Sequence, residues 1–310
     1  MRASLVVLVP IIGLICCDGV HAQQPRDPVR EMSLHRVAGN VYMLDGSFNG
    51  AGNVAVLVGS DGLVLVDAQE EPVYRKVLAA LKSLSERPVR YVVDTHCHGD
   101  HTGGNAAFRR EGATLVAHRK VRERLATQST CGPPAGTGLP TVTFDSELTL
   151  YADDEEIRII KLPAGHTDGD VMVYFRKANV VATGDAFFSN ALGGPDPSNN
   201  GTMTGVIDEM RTIESAVAED AKVIPGHGAQ ASMKDVRRTR QVLQGMRDAV
   251  QQQIRAGKTL DEIRKMNVLS AWKDHFGAPC VPNVPCDHLD SESYLRNFYR
   301  ALTMVSVPSK

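Results

Sequence analysis

The sequence lacks a strong net charge, a long internal hydrophobic run and a G-x-S-x-G nucleophile motif. Its 34 basic and 36 acidic residues leave a formal net charge of −2 over 310 residues, which gives no electrostatic basis for binding nucleic acid or an anionic membrane surface. Without G-x-S-x-G, nothing indicates a serine nucleophile of that type. Hydrophobic residues make up 43% of the chain and charged residues 23%, as in ordinary globular proteins with a sizeable core.

The N-terminus has the features of a secretory signal peptide. Met1 and Arg2 supply a positive start, residues 5–15 form an apolar core too short to span a bilayer comfortably, and small residues precede Gln23. We therefore predict a signal peptide at residues 1–22 and a periplasmic or secreted protein with no further membrane segment. A lipoprotein cysteine at position 16 or 17 is the alternative, although the preceding residues fit lipidation poorly.

Residues 23–310 are predicted to form a single domain. Strand-like runs followed by helical segments occur once before about residue 140 and again after it, and no Pro/Ser-rich linker separates the two halves. We expect two β-rich halves packed face to face with helices outside, which is a layered α/β architecture. Further helical segments at 234–256, 259–266 and 291–303 form a C-terminal extension.

A histidine-rich turn at residues 95–104, THCHGDHTGG, is the most informative stretch of the chain. It follows an apolar run at 89–93 that is typical of a buried strand, and it precedes the start of a helix at 105–108. Imidazole and carboxylate groups are ligands that Zn²⁺ and similar divalent ions accept. The spacing H-x-H-x-D-H after a strand therefore predicts a metal site rather than a histidine-rich surface loop.

Three further turns repeat the pattern of a polar residue beside glycine at the end of an apolar strand. They are AGHTDGD at 164–170, TGD at 183–185 and GHG at 226–228. Each would be weak evidence alone, because Gly-His and Gly-Asp are common in turns. Five of the nine histidines that follow the signal peptide lie in these four turns, so the joint pattern indicates one site built from all of them.

These motifs, from about residue 41 to residue 227, resemble those of the metallo-β-lactamase superfamily. The resemblance implies a four-layer αβ/βα sandwich with metals at one edge. It also implies that His96, His98 and His166 bind a first metal ion and that Asp100, His101 and His227 bind a second. Asp185 matches the carboxylate that bridges the two metals.

The implied chemistry is hydrolysis by a hydroxide held between two Zn²⁺ ions, with Asp100 as the catalytic residue that orients it. One lactamase branch has a cysteine ligand at the second site, whereas this chain has Asp185. It is therefore more similar to bridging-aspartate hydrolases such as glyoxalase II. We expect a small-molecule ester, thioester, lactone or β-lactam as substrate. The motifs leave the substrate and the oligomeric state open.

Three alternative functions stay open. The protein could be a β-lactamase proper, because it is predicted to be exported and resembles that superfamily. It could be an iron-dependent oxidoreductase similar to the persulfide dioxygenases, with iron or mixed divalent metals in place of zinc. The third alternative is a zinc-binding protein without catalytic activity. Metal analysis, oxygen uptake and a substrate panel distinguish these functions.

Several residues outside the ligand set have weaker sequence support. Thr102 and Asp168 could orient ligand imidazoles, or could serve turn and cap chemistry. His118 and Asn190 could face the substrate; the alternative for His118 is a structural role. A local disulfide between Cys280 and Cys286 is plausible in their proline-rich segment, as are two free thiols. Strand alternation predicts that Cys97 points towards the core, away from His96 and His98.

Overall fold

A computed structural model describes residues 32–46, 50–127, 131–276 and 289–303. Within these residues the chain builds two β-sheets. The first is seven-stranded and takes its strands in chain order: β1 (Ser33–Ala38), β2 (Val41–Asp45), β3 (Val54–Val58), β4 (Leu63–Val66), β5 (Val89–Asp94), β6 (Thr114–His118) and β7 (Val142–Phe144). Strands β1 to β4 pair antiparallel, and β4 to β7 pair parallel.

The second sheet is six-stranded and comes almost entirely from the later part of the chain. Its spatial order is β13, β12, β11, β10, β9, β8, with β8 (Glu147–Ala152), β9 (Glu155–Lys161), β10 (Val171–Phe175), β11 (Val180–Ala182), β12 (Lys222–Ile224) and β13 (Ala231–Ser232). Strands β11 and β12 are parallel, and the other pairs are antiparallel. Strand β1 and the two-residue strand β13 were not expected from the sequence.

Helices cover the outer face of each sheet. The first half supplies α1 (Tyr74–Leu84), α2 (Gly99–Thr102), α3 (Asn105–Arg110) and α4 (Arg119–Thr127). The second half supplies α5 (Met203–Ala216), α6 (Met233–Arg255), α7 (Leu260–Met266) and α8 (Ser291–Thr303). Helix α7 begins with a capping box: the Thr259 hydroxyl accepts a hydrogen bond from the backbone N–H of Glu262, and the Glu262 carboxylate accepts one from the backbone N–H of Thr259. Among the described residues, none of the helices is both long and apolar enough to cross a membrane.

The alternation of side chains along each strand divides the core into layers. Val64 and Val66 on β4 face the core between the sheets, whereas Leu63 and Leu65 face α1 and α3. On β10, Val171, Val173 and Phe175 face the inner core, and Met172 and Tyr174 face the layer that contains α5, α6 and α8. Both faces of these strands are buried, which explains their continuous apolar sequences. The predicted αβ/βα sandwich is therefore confirmed.

The two sheets bring the ends of their parallel strands to one edge of the sandwich. In the first sheet, the residues after β4 and β5 leave from the carboxyl ends of neighbouring parallel strands. In the second sheet, the residues after β11 and β12 do the same. Polar side chains in these four connections can meet across the gap between the sheets, because their backbone leaves each sheet at the same edge.

Candidate metal centre

The histidine-rich turn begins where β5 ends and closes into the short helix α2. His98 is the extended residue before this helix, and its carbonyl accepts from the backbone of His101 and Thr102 at 3.1 and 2.9 Å. The backbone bends after β5 ends, and the His96 and His98 rings reach the site while Cys97 points into a small apolar cluster with Val121 and Leu125. The predicted inward direction of Cys97 agrees with this placement.

The first donor cluster contains His96, His98, His166 and Asp185. His98 Nδ1 lies 3.1 Å from His96 Nε2 and 3.0 Å from His166 Nε2. Asp185 Oδ2 lies 3.5 Å from His96 Nε2 and 3.3 Å from His166 Nε2. Two of these residues come from the turn after β5, and two come from the second sheet.

The second donor cluster contains Asp100, His101 and His227. Asp100 Oδ2 lies 3.3 Å from His101 Nε2 and 3.2 Å from His227 Nε2. The other carboxylate oxygen of Asp185, Oδ1, lies 3.2 Å from His101 Nε2 and 3.5 Å from His227 Nε2. Asp185 therefore directs one oxygen into each cluster, which is the placement expected of a bridging ligand.

The outer nitrogens of three ligand rings lie at carboxylate or carbonyl oxygens. His101 Nδ1 lies 2.8 Å from Asp67 Oδ2, His98 Nε2 lies 2.9 Å from Asp196 Oδ2, and His166 Nδ1 lies 2.7 Å from the carbonyl oxygen of Gly194. A neutral imidazole that donates on its outer side presents a lone pair on its inner side. These contacts therefore orient the rings for metal binding.

The donor geometry fits divalent metal ions. Zinc ligands at tetrahedral corners lie about 3.3–3.6 Å apart when the metal–ligand bonds are about 2.0–2.2 Å long. The measured separations in the first cluster are 3.0–3.5 Å. His101 Nε2 and Asp185 Oδ1 are buried and make no hydrogen bond to the described residues, although they face each other at 3.2 Å. A divalent cation held by both residues would satisfy these atoms.

The metal-free electrostatics of the site are dominated by burial and by the proximity of carboxylates and imidazoles. Burial opposes ionisation of Asp185, but His101, His227, His96 and His166 outweigh it and hold the pKa of Asp185 well below its usual range. Burial opposes protonation of His101 and His227, yet the facing carboxylates raise the pKa of His101 well above its usual value and that of His227 to about 9. Metal binding must displace these protons.

Close backbone approaches hold the two halves of the site together. Asn53 donates through Nδ2 to the carbonyl oxygens of Pro225 and Gly228, both at 2.9 Å, and so anchors the turn that carries His227. A Cβ at Gly226 would lie 2.1 Å from Asp185 Oδ1. Glycine at 226 is therefore required by the approach of this turn to the bridging carboxylate.

The structure corrects the roles expected for Thr102 and Asp168. The Thr102 hydroxyl donates to the carbonyl oxygens of His98 and Cys97, at 2.9 and 3.2 Å, so it stabilises the turn rather than an imidazole. Asp168 accepts two hydrogen bonds from Arg124, both at 2.7 Å, and one from Asn200. Neither side chain hydrogen-bonds to a ligand ring: Thr102 bonds within its own turn, as the alternative had it, whereas Asp168 is bound by Arg124 of α4 and by Asn200.

His118 and Asn190 do not face the metal site. His118 is buried and hydrogen-bonded between the carbonyl of Asp145 and the backbone N–H of Lys120, which is the structural role left open above. Asn190 is exposed and lines a separate depression beside Arg238 and His275. The predicted pair Cys280 and Cys286 lies outside the described residues.

Several residues that shape the site were missed from the sequence. Asp67 comes directly after strand β4, just as the candidate ligands come after strands. The same pattern of a polar residue at the end of a strand could therefore have indicated it. Asp196 lies in a loop without a periodic pattern, and no sequence signal indicated it. Cys131 forms a disulfide with Cys97 across 34 residues, a pairing that the sequence did not indicate. This bond ties the segment after residue 130 to the histidine-rich turn.

A cleft of about 940 Å³ opens over the two donor clusters. One wall is residues 70–72, a second is Gly132, Pro133 and Pro134 beside the disulfide, and a third combines Phe188 with residues 193–195 and Leu289. The C-terminal helix supports the third wall, because the Tyr294 hydroxyl donates to the carbonyl of Gly193 at 2.6 Å. His98, Asp100, His166, Asp185 and His227 form the floor.

The chain belongs to the metallo-beta-lactamase superfamily, whose sequence pattern matches residues 48–241. It is 28% identical over 201 residues to metallo-beta-lactamase IND-1 of Chryseobacterium indologenes, a match that covers 61% of this chain and 77% of that protein. It is 25% identical over 150 residues to the hydroxyacylglutathione hydrolase of Pelagibacter ubique, covering 47% of this chain and 56% of that enzyme. Both relatives have the names of hydrolases. The chain therefore belongs to a superfamily that has hydrolytic enzymes among its members.

The fold agrees with a solved structure of the same superfamily. The metallo-beta-lactamase from Pontibacter korlensis superposes with a TM-score of 0.60 at 21% sequence identity, covering 69% of this chain and 99% of that one. At this identity the likeness establishes the shared fold. The family match ends at residue 241, so helices α7 and α8 lie beyond it.

Proposed function

We propose that the protein is a zinc-dependent hydrolase of the bridging-aspartate type, acting on an ester, thioester, lactone or β-lactam. The observation that carries this proposal is the position of Asp185, with one carboxylate oxygen 3.3 Å from His166 and the other 3.2 Å from His101. His96, His98 and His166 would hold one ion, Asp100, His101 and His227 the other, and Asp185 both. When bound, two divalent ions lower the pKa of a shared water and polarise the bond to be cleaved.

The chain's own residues then supply orientation and exclusion of bulk water. Asp100 is the candidate catalytic residue, because its Oδ2 reaches both His101 and His227 and it also lines the cleft floor. A carboxylate in this place can accept a hydrogen bond from the attacking water and hold it towards the substrate. Phe188 closes the cleft beside His227, with ring centroids 4.8 Å apart.

The test is metal-dependent turnover by the purified chain. We would assay a chromogenic β-lactam, an aryl thioester and a lactone with zinc, and again after chelation. The expected result is chelator-sensitive hydrolysis of at least one class, reduced about 10²-fold or more in Asp100→Asn. The matched control is Asp61→Asn, an exposed aspartate paired with Arg90 at the far end of β4.

Three further outcomes of these measurements each indicate one alternative function. Fast β-lactam cleavage with little turnover of the other substrates would make the protein a lactamase despite Asp185. Iron near one atom per chain together with oxygen uptake would favour the oxidoreductase. Bound metal without turnover of any substrate would leave a non-catalytic zinc-binding protein and overturn the proposal.

We also propose that the protein is exported after cleavage behind Ala22. The sequence of residues 1–22 supports this, and so does the Cys97–Cys131 disulfide, because disulfides persist in oxidising compartments. N-terminal sequencing of the protein from fractionated cells should find Gln23 as the first residue. An intact Met1 in the cytoplasmic fraction would contradict export.

A further inference from the structure

The cleft above the donor clusters has an unusual set of side chains for a substrate site. Among the described residues that line it, the groups that are not predicted ligands are glycines, prolines, Phe188, Leu289 and two glutamates. None of these described lining residues is a lysine, arginine, serine, threonine, asparagine, glutamine or tyrosine. The nearest basic residues along the chain from Glu71, Arg75 and Lys76, lie on α1 and do not line the cleft.

Residues 47–49, 128–130 and 277–288 have the sequences SFN, QST and GAPCVPNVPCDH, which contain no lysine or arginine. Among the described lining residues that are not predicted ligands, Glu70 and Glu71 are the acidic ones.

The two glutamates are held at the cleft by the backbone of the histidine-rich turn. The N–H of Ala68 donates to the carbonyl of His101 at 2.6 Å, and the N–H of Gly104 donates to the carbonyl of Gln69 at 2.9 Å. A Cβ at Gly103 would lie 2.7 Å from the Glu71 nitrogen and 2.9 Å from the Glu70 Cα. Because the helix that carries Asp100 and His101 packs directly on this segment, the backbone of Glu70 and Glu71 has a fixed place beside the metal ligands.

The other walls are apolar and rigid. Pro133 and Pro134 follow the disulfide at Cys131, and Pro195 follows the glycines whose carbonyls bind Tyr294 and His166. Leu289 lies against Gly194, since a Cβ there would be 2.4 Å from its Cδ1. A surface of this kind stabilises an apolar group of the substrate by removing it from water.

A substrate carboxylate would meet unfavourable surroundings away from the metals. It would lose hydration in the cleft without gaining a lysine, arginine or hydroxyl partner from the described lining residues, and it would lie near two like charges. An uncharged group avoids this cost. A quaternary ammonium group gains attraction from the glutamates and from the Phe188 ring.

We propose that the substrates are uncharged or cationic esters or lactones with an apolar acyl group, and that the cleft discriminates against acyl groups that bear a carboxylate. This inference rests on the hydrolase function proposed above. Glu71 is the main specificity residue, because its side chain is exposed at the cleft wall.

The test compares three para-nitrophenyl esters of one acyl length on the zinc-loaded full chain. The acyl group ends in a methyl, a carboxylate or a trimethylammonium group, and each kcat/KM is divided by the rate of hydroxide-catalysed hydrolysis of that ester. We expect the carboxylate ester to be at least about tenfold poorer than the methyl ester, and the trimethylammonium ester to equal or exceed the latter. High salt should narrow the difference.

Charge reversal identifies the residue responsible. Glu71→Lys should improve the carboxylate ester relative to the trimethylammonium ester by about tenfold or more, mainly through KM. The matched control is Glu86→Lys, which makes the same charge change at an exposed position beyond the other end of α1. It should leave the ratio unchanged.

The outcomes separate the two proposals. Equal or faster turnover of the carboxylate ester by the wild-type protein would overturn the charge inference and leave the hydrolase proposal standing. An unchanged ratio in Glu71→Lys would do the same. Absence of chelator-sensitive turnover for all three esters, and for the thioester, lactone and β-lactam, would overturn both.

Discussion

Hydrogen bonds on the outer side of the ligand rings decide how the site can bind metal. Asp67, Asp196 and the carbonyl of Gly194 each take the outer nitrogen of one ring and fix its inner nitrogen as an acceptor. Of these three, Asp196 is the most open to water, with about a fifth of its side chain exposed. It is therefore the most suitable position for testing one such bond without unfolding the site.

Asp196→Asn should weaken zinc binding by about 10–100-fold. The uncharged amide orients the His98 ring less firmly than the carboxylate does, and it leaves the metal-facing nitrogen of that ring, Nδ1, less basic. Competition with a chromogenic chelator measures this change. Asp61→Asn should leave the zinc affinity unchanged. Equal zinc affinity in Asp196→Asn and wild type would show that the 2.9 Å contact to His98 has no role in metal binding.

His118 makes stability depend on pH away from the metal site. Burial and then Lys161 lower the pKa of His118 from its ordinary 6.5, and both ring nitrogens are already occupied by backbone groups. The folded state favours the neutral ring. This contribution to stability is therefore present above about pH 6.5 and is lost as the pH falls through the lowered folded-state pKa.

His118→Gln should therefore flatten the pH dependence of the free energy of unfolding between about pH 7.5 and 5.5. Urea denaturation of the zinc-loaded proteins at several pH values measures it. His35→Gln on edge strand β1 removes one histidine elsewhere and serves as the control. A wild-type slope in His118→Gln would contradict the assignment.

At the scale of elements, the Cys97–Cys131 disulfide connects the metal-binding turn to a wall of the cleft. It closes a loop of 34 residues that includes α2, α3, β6 and α4. Both cysteines are buried with Val121 and Leu125 of α4. The disulfide therefore positions Gly132, Pro133 and Pro134 at the cleft wall, while both cysteine side chains lie in the apolar cluster and not among the metal ligands.

Replacing both cysteines with alanine should lower the free energy of unfolding by about 3–4 kcal/mol, the loop-closure value for this separation. It should also raise KM more than it lowers kcat, because the cleft wall loses its anchor while the ligands stay. Urea denaturation and steady-state kinetics measure the two effects. An unchanged KM together with lower stability would limit the disulfide to a structural role.

At the scale of the whole molecule, the candidate ligands join the two sheets. His96, His98, Asp100 and His101 follow β5 of the first sheet, whereas His166, Asp185 and His227 come from connections of the second. A metal bound by both groups is a cross-link between the halves, in addition to the shared apolar core. Metal binding to the folded state alone stabilises it by mass action.

Chelation should therefore lower Tm, and added zinc should restore it. Free zinc at about 100 times its Kd should raise the free energy of unfolding by about 3 kcal/mol. Thermal denaturation with and without zinc measures the shift. Asp185→Ala, which removes the residue shared by both clusters, should abolish most of it. A Tm independent of zinc in the wild-type protein would contradict the cross-link.

Much of this architecture is determined by local sequence. Apolar runs at 89–93, 171–175 and 222–224 indicated strands, and the structure has β5 at Val89–Asp94, β10 at Val171–Phe175 and β12 at Lys222–Ile224. Polar residues beside glycine after such strands indicated one metal site, and the resemblance to the metallo-β-lactamase superfamily implied its seven ligands. The reason is physical: strand alternation, helix periodicity and glycine turns are properties of neighbouring residues.

Tertiary structure alone decided which distant groups meet. The pairing of Cys97 with Cys131, the contact of Asp196 with His98 and the reach of Tyr294 to Gly193 join segments from 34 to 101 residues apart. The partners of Asp168 were not predicted for the same reason: Arg124 and Asn200 lie 44 and 32 residues from it in the sequence, and only the packing of the chain brings them together. The local sequence determines where the strands end and which polar residues follow them. The cleft that surrounds these residues forms only when the two halves of the chain pack together.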